Sequence, residues 1–425
     1  MTLHFLEDTP QPALPTAHDD RYSPSGIHMM VDAWGIPNHI LNDIDLLKSR
    51  MEKAVHKVGA TLLNLNAVQF SPNGITVVAV LAESHASIHT YPEQGVLMAD
   101  AFTCGSIDPE PLIEALLDGI EVSRRIVRRT ARGDSHPTHV EEQLSSGIAR
   151  VWELNEVIAA ERTAYQDVLI ARTAHGTTLF CNRERQSSEL TQLIYHEGQF
   201  IPAALLAGQR KRVLVIGSSE GVVVQLALWC GAEHVVHVDI DRRCVDLCAE
   251  HLPYGYSKRD VQRYEKGTDT VQLLFEDGSA VVDRMKADSR RFDIIVMDLP
   301  DEEPNSPHQH NRLYQREFLE DLRDLLEPDG VVISQAGCAS FWRNQTLGNT
   351  FRRFSDTFST AVYFELTEQD WVWVVGCNAV VPDPVATMQH KLKTLAYTPR
   401  FIDGDLITAA TVLPVGLRRR ISTSN

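Results

Sequence analysis

The pattern of apolar and polar positions divides the chain into two differently patterned parts. Over residues 26–127, "GIHMMVDAW" alternates with the period of a half-buried strand. "ILNDIDLLKSRMEKAVHKVG" repeats at helical spacing up to Gly59, a residue suited to ending a helix. "ATLLNLNAVQF" and "GITVVAVLAES" read as strands joined by an "SPNG" turn, and "HTYPEQGVLMADAFTCG" as a further strand region. "DPEPLIEALLDGIEVSRRIV" reads as a closing helix. This order predicts an α+β domain, a β-sheet with helices on one face.

The polar, punctuated stretch 128–145 predicts a linker, and 146–204 a small β region with a hairpin around His175-Gly176. Over 205–425 the pattern changes again. "RVLVIG", "HVVHVDID", "VQLLFED", "FDIIVMDLP" and "GVVISQAG" are near-continuous apolar runs with helical segments between several of them. Strands buried on both faces look like this, so a Rossmann-like doubly wound α/β domain is expected. Residues 1–25 carry Pro10, Pro12, Pro15 and Pro24 among polar neighbours and read as a disordered tail.

Composition narrows the function classes. The 425 residues carry a formal net charge of −17, which argues against a nucleic-acid partner and suits cationic substrates such as amines. The seven cysteines form no C-x-x-C pair, so neither a zinc site nor a disulfide framework is expected. No signal peptide and no apolar run of membrane-spanning length is apparent, which predicts a cytoplasmic protein without a membrane partner.

Two stretches carry chemistry. The first is "LAESHASIHTYPE", residues 81–93. A serine hydroxyl in a strained turn can attack the carbonyl of the residue before it, here Glu83 before Ser84. The resulting ester can eliminate, cleaving the chain and leaving a pyruvoyl group. That ketone condenses with a substrate amine and acts as an electron sink without an added cofactor. Thr76, His89 and Cys104 are the nearby groups able to move protons. A Glu-Ser pair, a histidine or a cysteine taken singly is more often structural; the argument rests on the set.

With "DAFTCG" downstream, this stretch resembles the short bacterial and archaeal form of S-adenosylmethionine decarboxylase, over residues 25–125. The resemblance implies that Ser84 becomes the pyruvoyl group, that His89 assists processing and that Cys104 donates the proton in decarboxylation. Thr76, eight residues before Ser84, stands where that family usually has a processing serine. Phe70, Tyr91 and Glu93 fall at substrate-binding positions, with Tyr91 where tryptophan is frequent.

The second stretch is distributed over strand ends. "VLVIGSSEG" is a strand, a glycine turn and a helix start, but Ser219 occupies the second glycine of a dinucleotide fingerprint, which disfavours NAD. Asp239, Asp277, Asp298 and Asp301 end successive strands, and Glu220 sits in the glycine turn. Ligands bind at that edge of such sheets, and acids gathered there call for a cation. Each acid alone could be a helix cap. As a set they point to a nucleoside site of S-adenosylmethionine type. Decarboxylated S-adenosylmethionine fits better than its parent, whose carboxylate the acids would repel.

Residues 150–415 resemble spermidine synthases in the order "YQD", "RQSSE", "IYHE", "VDID", "EDG", D-x-x-D, "LYQREF" and "YTPRFIDGDLITAATVLP". The resemblance implies Gln166 and Asp239 on the ribose, Asp277 by the adenine, and Glu220 facing the aminopropyl ammonium. It further implies that Asp298 readies the attacking amine and that Gln186, Tyr195 and Asp301 line the amine channel. The chain departs from that family at "GSSEGV", at Thr191-Gln192, and at "YFELTEQDWVWVV", which replaces a tyrosine loop. Together the two resemblances imply a bifunctional polyamine enzyme and a homodimer or higher oligomer. It would decarboxylate S-adenosylmethionine, then transfer the aminopropyl group to a putrescine-like diamine, with no metal. The alternatives are a decarboxylase with a non-catalytic second domain, and a pyruvoyl decarboxylase acting on free arginine or ornithine.

Overall fold

In the computed structural model the described residues are 25–105, 107–133, 138–302 and 309–422. The expected tail at residues 1–25 lies outside them except for Ser25. The chain forms two units, residues 1–137 and 138–425. Among the described residues no helix is long and apolar enough to cross a membrane.

The first unit is a six-stranded antiparallel sheet built from β1 (Gly26–Trp34), β2 (Leu62–Gln69), β3 (Ile75–Leu81), β4 (Ser84–Tyr91), β5 (Val96–Cys104) and β6 (Arg124–Arg132). The strand order is β2-β3-β4-β5-β1-β6. Alternate residues of each strand point to opposite faces. Val31, Val77, Ile88 and Ala99 therefore turn to one side, where they bury against Leu47 and Met51 of α2 (Ile44–Lys57), preceded by the short α1 (Asn38–Leu41), and against Leu112 and Leu116 of α3 (Glu110–Leu117). This is the expected α+β arrangement with helices on one face. Asp43 caps α2 by accepting from Leu46 N–H at 2.9 Å.

Two sequence expectations are corrected here. The closing helix ends at Leu117, and the stretch from Arg124 is strand β6, paired along its length with β1. The expected linker 128–145 is thus strand at both ends, since β7 (His139–Ser145) follows; residues 134–137 lie outside the described set. β6 carries almost no buried residue, so no apolar alternation marks it in the sequence. Arginine pairing holds it instead: Arg128 to Asp32 and Arg129 to Asp108, both at 2.9 Å, with Arg124 stacked over Trp34.

In the second unit β7 pairs with β8 (Ile148–Glu153). A four-stranded antiparallel sheet follows, of β9 (Glu156–Arg162), β10 (Asp167–Thr173), β11 (Gly176–Cys181) and β12 (Glu184–Ser188). The expected hairpin at His175-Gly176 joins β10 to β11. After α4 (Gln192–Leu206) comes a seven-stranded sheet: β13 (Arg212–Gly217), β14 (His234–Val238), β15 (Val271–Leu274), β16 (Phe292–Asp298), β17 (Leu326–Cys338), β18 (Thr360–Glu365) and β19 (Trp371–Cys377). Its order is β15-β14-β13-β16-β17-β19-β18, parallel through β17 and antiparallel at β18 and β19. Helices α5 (Val222–Trp229), α6 (Arg242–His251), α7 (Lys258–Glu265), α8 (Gly278–Ala287), α9 (Arg316–Asp324) and α10 (Gln345–Thr357) separate the strands, and buried clusters cover both sheet faces. The strand order reverses at β13 and β16, so the crevice beyond their C-terminal ends is the expected ligand position.

Candidate active sites

The β3–β4 turn is tight. Leu81 pairs with Ser84, leaving only Ala82 and Glu83 in the loop. Glu83 has φ of 59°, a left-handed conformation that costs a non-glycine residue roughly 1 kcal/mol or more. The end of β5 lies against this turn. Cys104 N–H donates to Ser84 Oγ at 3.1 Å, and the Cys104 thiol donates to the Glu83 carbonyl oxygen, also at 3.1 Å. The thiol thus polarises the one carbonyl that the Ser84 hydroxyl would attack. Burial pushes the Cys104 thiol above its ordinary range and the Glu83 charge adds to this, while Ser84 and Arg132 pull the other way. Cys104 therefore keeps its proton at neutral pH. Arg132 comes from β6, so the sequence reading, which placed it in a linker, missed it.

The other processing candidates are elsewhere on the sheet. Thr76 pairs with His89 across β3 and β4, with Thr76 Oγ1 at 2.9 Å from His89 Nδ1. His89 is five residues from Ser84 along β4, about 17 Å at the usual strand rise. Phe70, Tyr91 and Glu93 lie at the His89 end, Phe70 and Tyr91 with 52% and 41% of their surface exposed. Within one chain the first-site residues thus form two groups, Glu83, Ser84 and Cys104 at one end and the rest at the other. Between them the helix-free face carries Asp100, Ser87, His85 and His28, which the sequence reading did not single out. The spacing of His85, Ser87 and His89 at every second position was the available signal.

All eight residues named for the second site line one cleft of about 310 Å³ at the C-terminal ends of β13, β14 and β16. Gly217 is required there, because a Cβ would come within 2.0 Å of the Asp298 carbonyl oxygen. Ser218 follows at φ of 69°, in the left-handed region, with its buried hydroxyl unpartnered. This is the structural consequence of serine in a glycine turn. Ser219 Oγ donates to Asp239 at 2.8 Å, and Asp239 accepts from Asp241 N–H. Gln166 donates to Asp241 Oδ2 at 3.0 Å, which links the two expected ribose residues through an aspartate the sequence reading passed over.

Burial pushes Asp239 up to about 7 and Glu220 up to about 8, with the Asp298 charge as the second cause for Glu220. Tyr195 O–H donates to Asp298 at 2.6 Å, and burial raises that phenol well above its usual value. Asp277 caps α8 and pairs with Arg312. Asp301 accepts from Gln335 and lies 3.8 Å from Arg343, which is equally far from Glu184. Trp371 lines the cleft, and Arg343 stacks over it. Gln335 lies inside β17, one residue past its last pair with β16, so neither it nor Arg343 carries the strand-end signal that marks the aspartates.

A serine turn set against a thiol, and a separate acidic cleft on a doubly wound sheet, define the class: two enzyme units fused in one chain. Residues 27–133 match the family model of S-adenosylmethionine decarboxylase, and residues 192–368 that of the spermine/spermidine synthase domain. An S-adenosylmethionine decarboxylase proenzyme from Brevibacillus brevis is 43% identical over 113 residues, which cover 26% of this chain and 85% of that protein. A polyamine aminopropyltransferase from Pyrobaculum neutrophilum is 31% identical over 271 residues, 63% of this chain and 87% of that protein. The structure of spermidine synthase from Thermotoga maritima superposes with a TM-score of 0.57 at 17% identity, covering 68% of this chain and 96% of that one, and shares the fold. The chain belongs to the S-adenosylmethionine decarboxylase family through its first unit and to the polyamine aminopropyltransferase family through its second. It is a bifunctional enzyme of polyamine biosynthesis.

Proposed function

We propose that the first unit cleaves itself between Glu83 and Ser84 and decarboxylates S-adenosylmethionine, and that the second transfers the resulting aminopropyl group to a putrescine-like diamine, giving spermidine. The observation that carries the first half is the Cys104 thiol on the Glu83 carbonyl oxygen at 3.1 Å. Ser84 Oγ attacks the Glu83 carbonyl carbon; a C–O bond forms, the C–N bond breaks, and the nitrogen takes the proton. β-Elimination then removes the Cα proton of residue 84 and breaks its Cβ–O bond, releasing Glu83 as a free carboxylate; the dehydroalanine left behind tautomerises to an imine, which takes up water and loses ammonia to give the pyruvoyl end. The left-handed turn at Glu83 and the polarised carbonyl both favour that attack. The pyruvoyl carbonyl supplies the electron sink for loss of a carboxylate from a bound amino acid. Cys104, kept protonated by burial, is the proton donor.

Thr76 and His89 cannot reach their own Ser84, and exposed Val68, Val78, Val80 and Met98 lie on the strands of the helix-free side. Both observations support an oligomer in which a second copy brings His89, Tyr91 and Phe70 to Ser84. The seven free thiols suit a reducing cytoplasm.

In the second unit, Glu220 receives the aminopropyl ammonium, Gln166 and Asp239 the ribose, and Asp277 the adenine side. Asp298, oriented by Tyr195, aligns the acceptor amine as its lone pair attacks the carbon beside the sulfonium. That C–N bond forms as the C–S bond breaks and methylthioadenosine leaves. Gln186 and Asp301 line the acceptor side. Convergence of all eight residues on one cleft weighs against a non-catalytic second unit.

Intact-mass spectrometry of the purified chain tests this reading. Two fragments split between Glu83 and Ser84, the second bearing a pyruvoyl end, are expected, and Ser84→Ala should stay whole. A single chain after prolonged incubation, or a split elsewhere, overturns it.

A further inference from the structure

One aspartate organises the helix-free face of the first sheet. Asp100 lies on β5 opposite Ser87 of β4 and Met30 of β1. Its Oδ2 is 3.0 Å from His28 Nε2 and 3.5 Å from His85 Nε2, and its Oδ1 accepts from the Ser87 hydroxyl. Ser87 Oγ is in turn 3.5 Å from His89 Nε2, and His89 Nδ1 is 2.9 Å from Thr76 Oγ1. One hydrogen-bonded path therefore runs from Thr76 through His89 and Ser87 to Asp100.

The path has a direction set by proton counting. An ionised carboxylate only accepts, and a serine hydroxyl has one proton, so the Ser87 proton points to Asp100. The Ser87 oxygen can then only accept, which places the proton of a neutral His89 on Nε2. Nδ1 is left with its lone pair, and Thr76 must donate to it. Reversing any one bond would force two donors or two acceptors to face each other elsewhere on the path.

We infer that Asp100 is a positioning residue for self-processing: acting through Ser87, it fixes the Nε2–H tautomer of His89 and so holds the Thr76 proton on a basic nitrogen. The Thr76 oxygen is thereby left as an acceptor for a proton from the reacting serine. This rests on the reading that Thr76 and His89 serve the cleavage at Ser84. His28 and His85 occupy the second carboxylate oxygen, which keeps the first turned to Ser87.

The test uses the full-length chain. Nitrogen-15 spectra of labelled histidines are recorded on the Ser84→Ala precursor, which is chemically uniform, at about pH 8.5, where imidazole is ordinarily neutral. The His89 signals are assigned by their loss in His89→Gln. The expected result is a single Nε2–H tautomer for His89, and a mixture once Ser87→Ala is added. In the parental background Ser87→Ala should slow self-cleavage about tenfold, a milder effect than enforcing a wrong tautomer, and Ser87→Thr, which keeps the hydroxyl, should restore it. An Nδ1–H tautomer in the precursor, or Ser87→Ala cleaving at the parental rate, overturns the inference. The two readings fail separately. A parental chain that never cleaves defeats the proposed function, and the inferred role with it. A chain that cleaves with His89 in the opposite tautomer defeats the positioning role alone.

Discussion

On the proposed function, ligand binding requires Glu220 in its ionised form, and Glu220→Gln removes that buried acid. Burial and the Asp298 charge hold Glu220 at about 8 in the free cleft. About one-eleventh of it is then ionised at pH 7 and about ten-elevenths at pH 9. A ligand that needs the carboxylate binds in proportion to that fraction, so its affinity should rise about tenfold over this range, about 1.4 kcal/mol. The direction follows from the raised value: the free protein holds a proton at neutral pH that the ligand's ammonium displaces. Titration calorimetry with decarboxylated S-adenosylmethionine, in two buffers of different ionisation enthalpy, measures both affinity and proton release. On the same proposal methylthioadenosine shares the ribose contact to Asp239, itself raised to about 7, but lacks the ammonium. The ratio of the two affinities therefore isolates Glu220. It should rise about tenfold from pH 7 to 9 in the parental protein and stay flat in Glu220→Gln. A flat ratio in the parental protein, or an unchanged rise in the variant, would refute the assignment of Glu220 to the ammonium.

Cys104→Ala should slow chain cleavage, since the Glu83 carbonyl loses its donor. It should lower carbon dioxide release from whatever cleaved enzyme forms by about a hundredfold or more. Cleavage and decarboxylation at parental rates would remove both roles. Tyr195→Phe deletes the 2.6 Å bond to Asp298. Aminopropyl transfer should fall about tenfold in kcat with nucleoside affinity unchanged, whereas a loss confined to nucleoside binding would place Tyr195 outside the acceptor side. Ser218→Gly relieves a left-handed serine and an unpartnered buried hydroxyl. Urea unfolding should show a gain of about 1 kcal/mol, and a loss would mean that Ser218 makes a contact in solution that repays its strain.

What the sequence discloses here depends on whether burial or pairing makes the element. The five parallel strands are apolar runs because both faces are covered, and their terminal acids reveal the cleft before any coordinates. β6 is held by β1 and by arginine pairs, none of which leaves a periodic trace, so it reads as a linker. The first site shows the same divide. Glu83 and Ser84 are sequence neighbours in a two-residue turn, and the antiparallel register of β4 with β5, His85 opposite Phe102, brings Cys104 to them. Thr76 is also near Ser84 in sequence, but strand register carries it and His89 to the far end of the sheet. Asp100 and Arg343 act across elements, and only register or tertiary packing places them.

The central claim, that one chain carries both steps, is tested most directly by supplying purified enzyme with S-adenosylmethionine and putrescine alone. Spermidine and methylthioadenosine should appear together after carbon dioxide release, and neither should form in Ser84→Ala unless pre-made decarboxylated S-adenosylmethionine is added. Absence of any aminopropylated product with every common diamine, even from the pre-made substrate, would contradict the account.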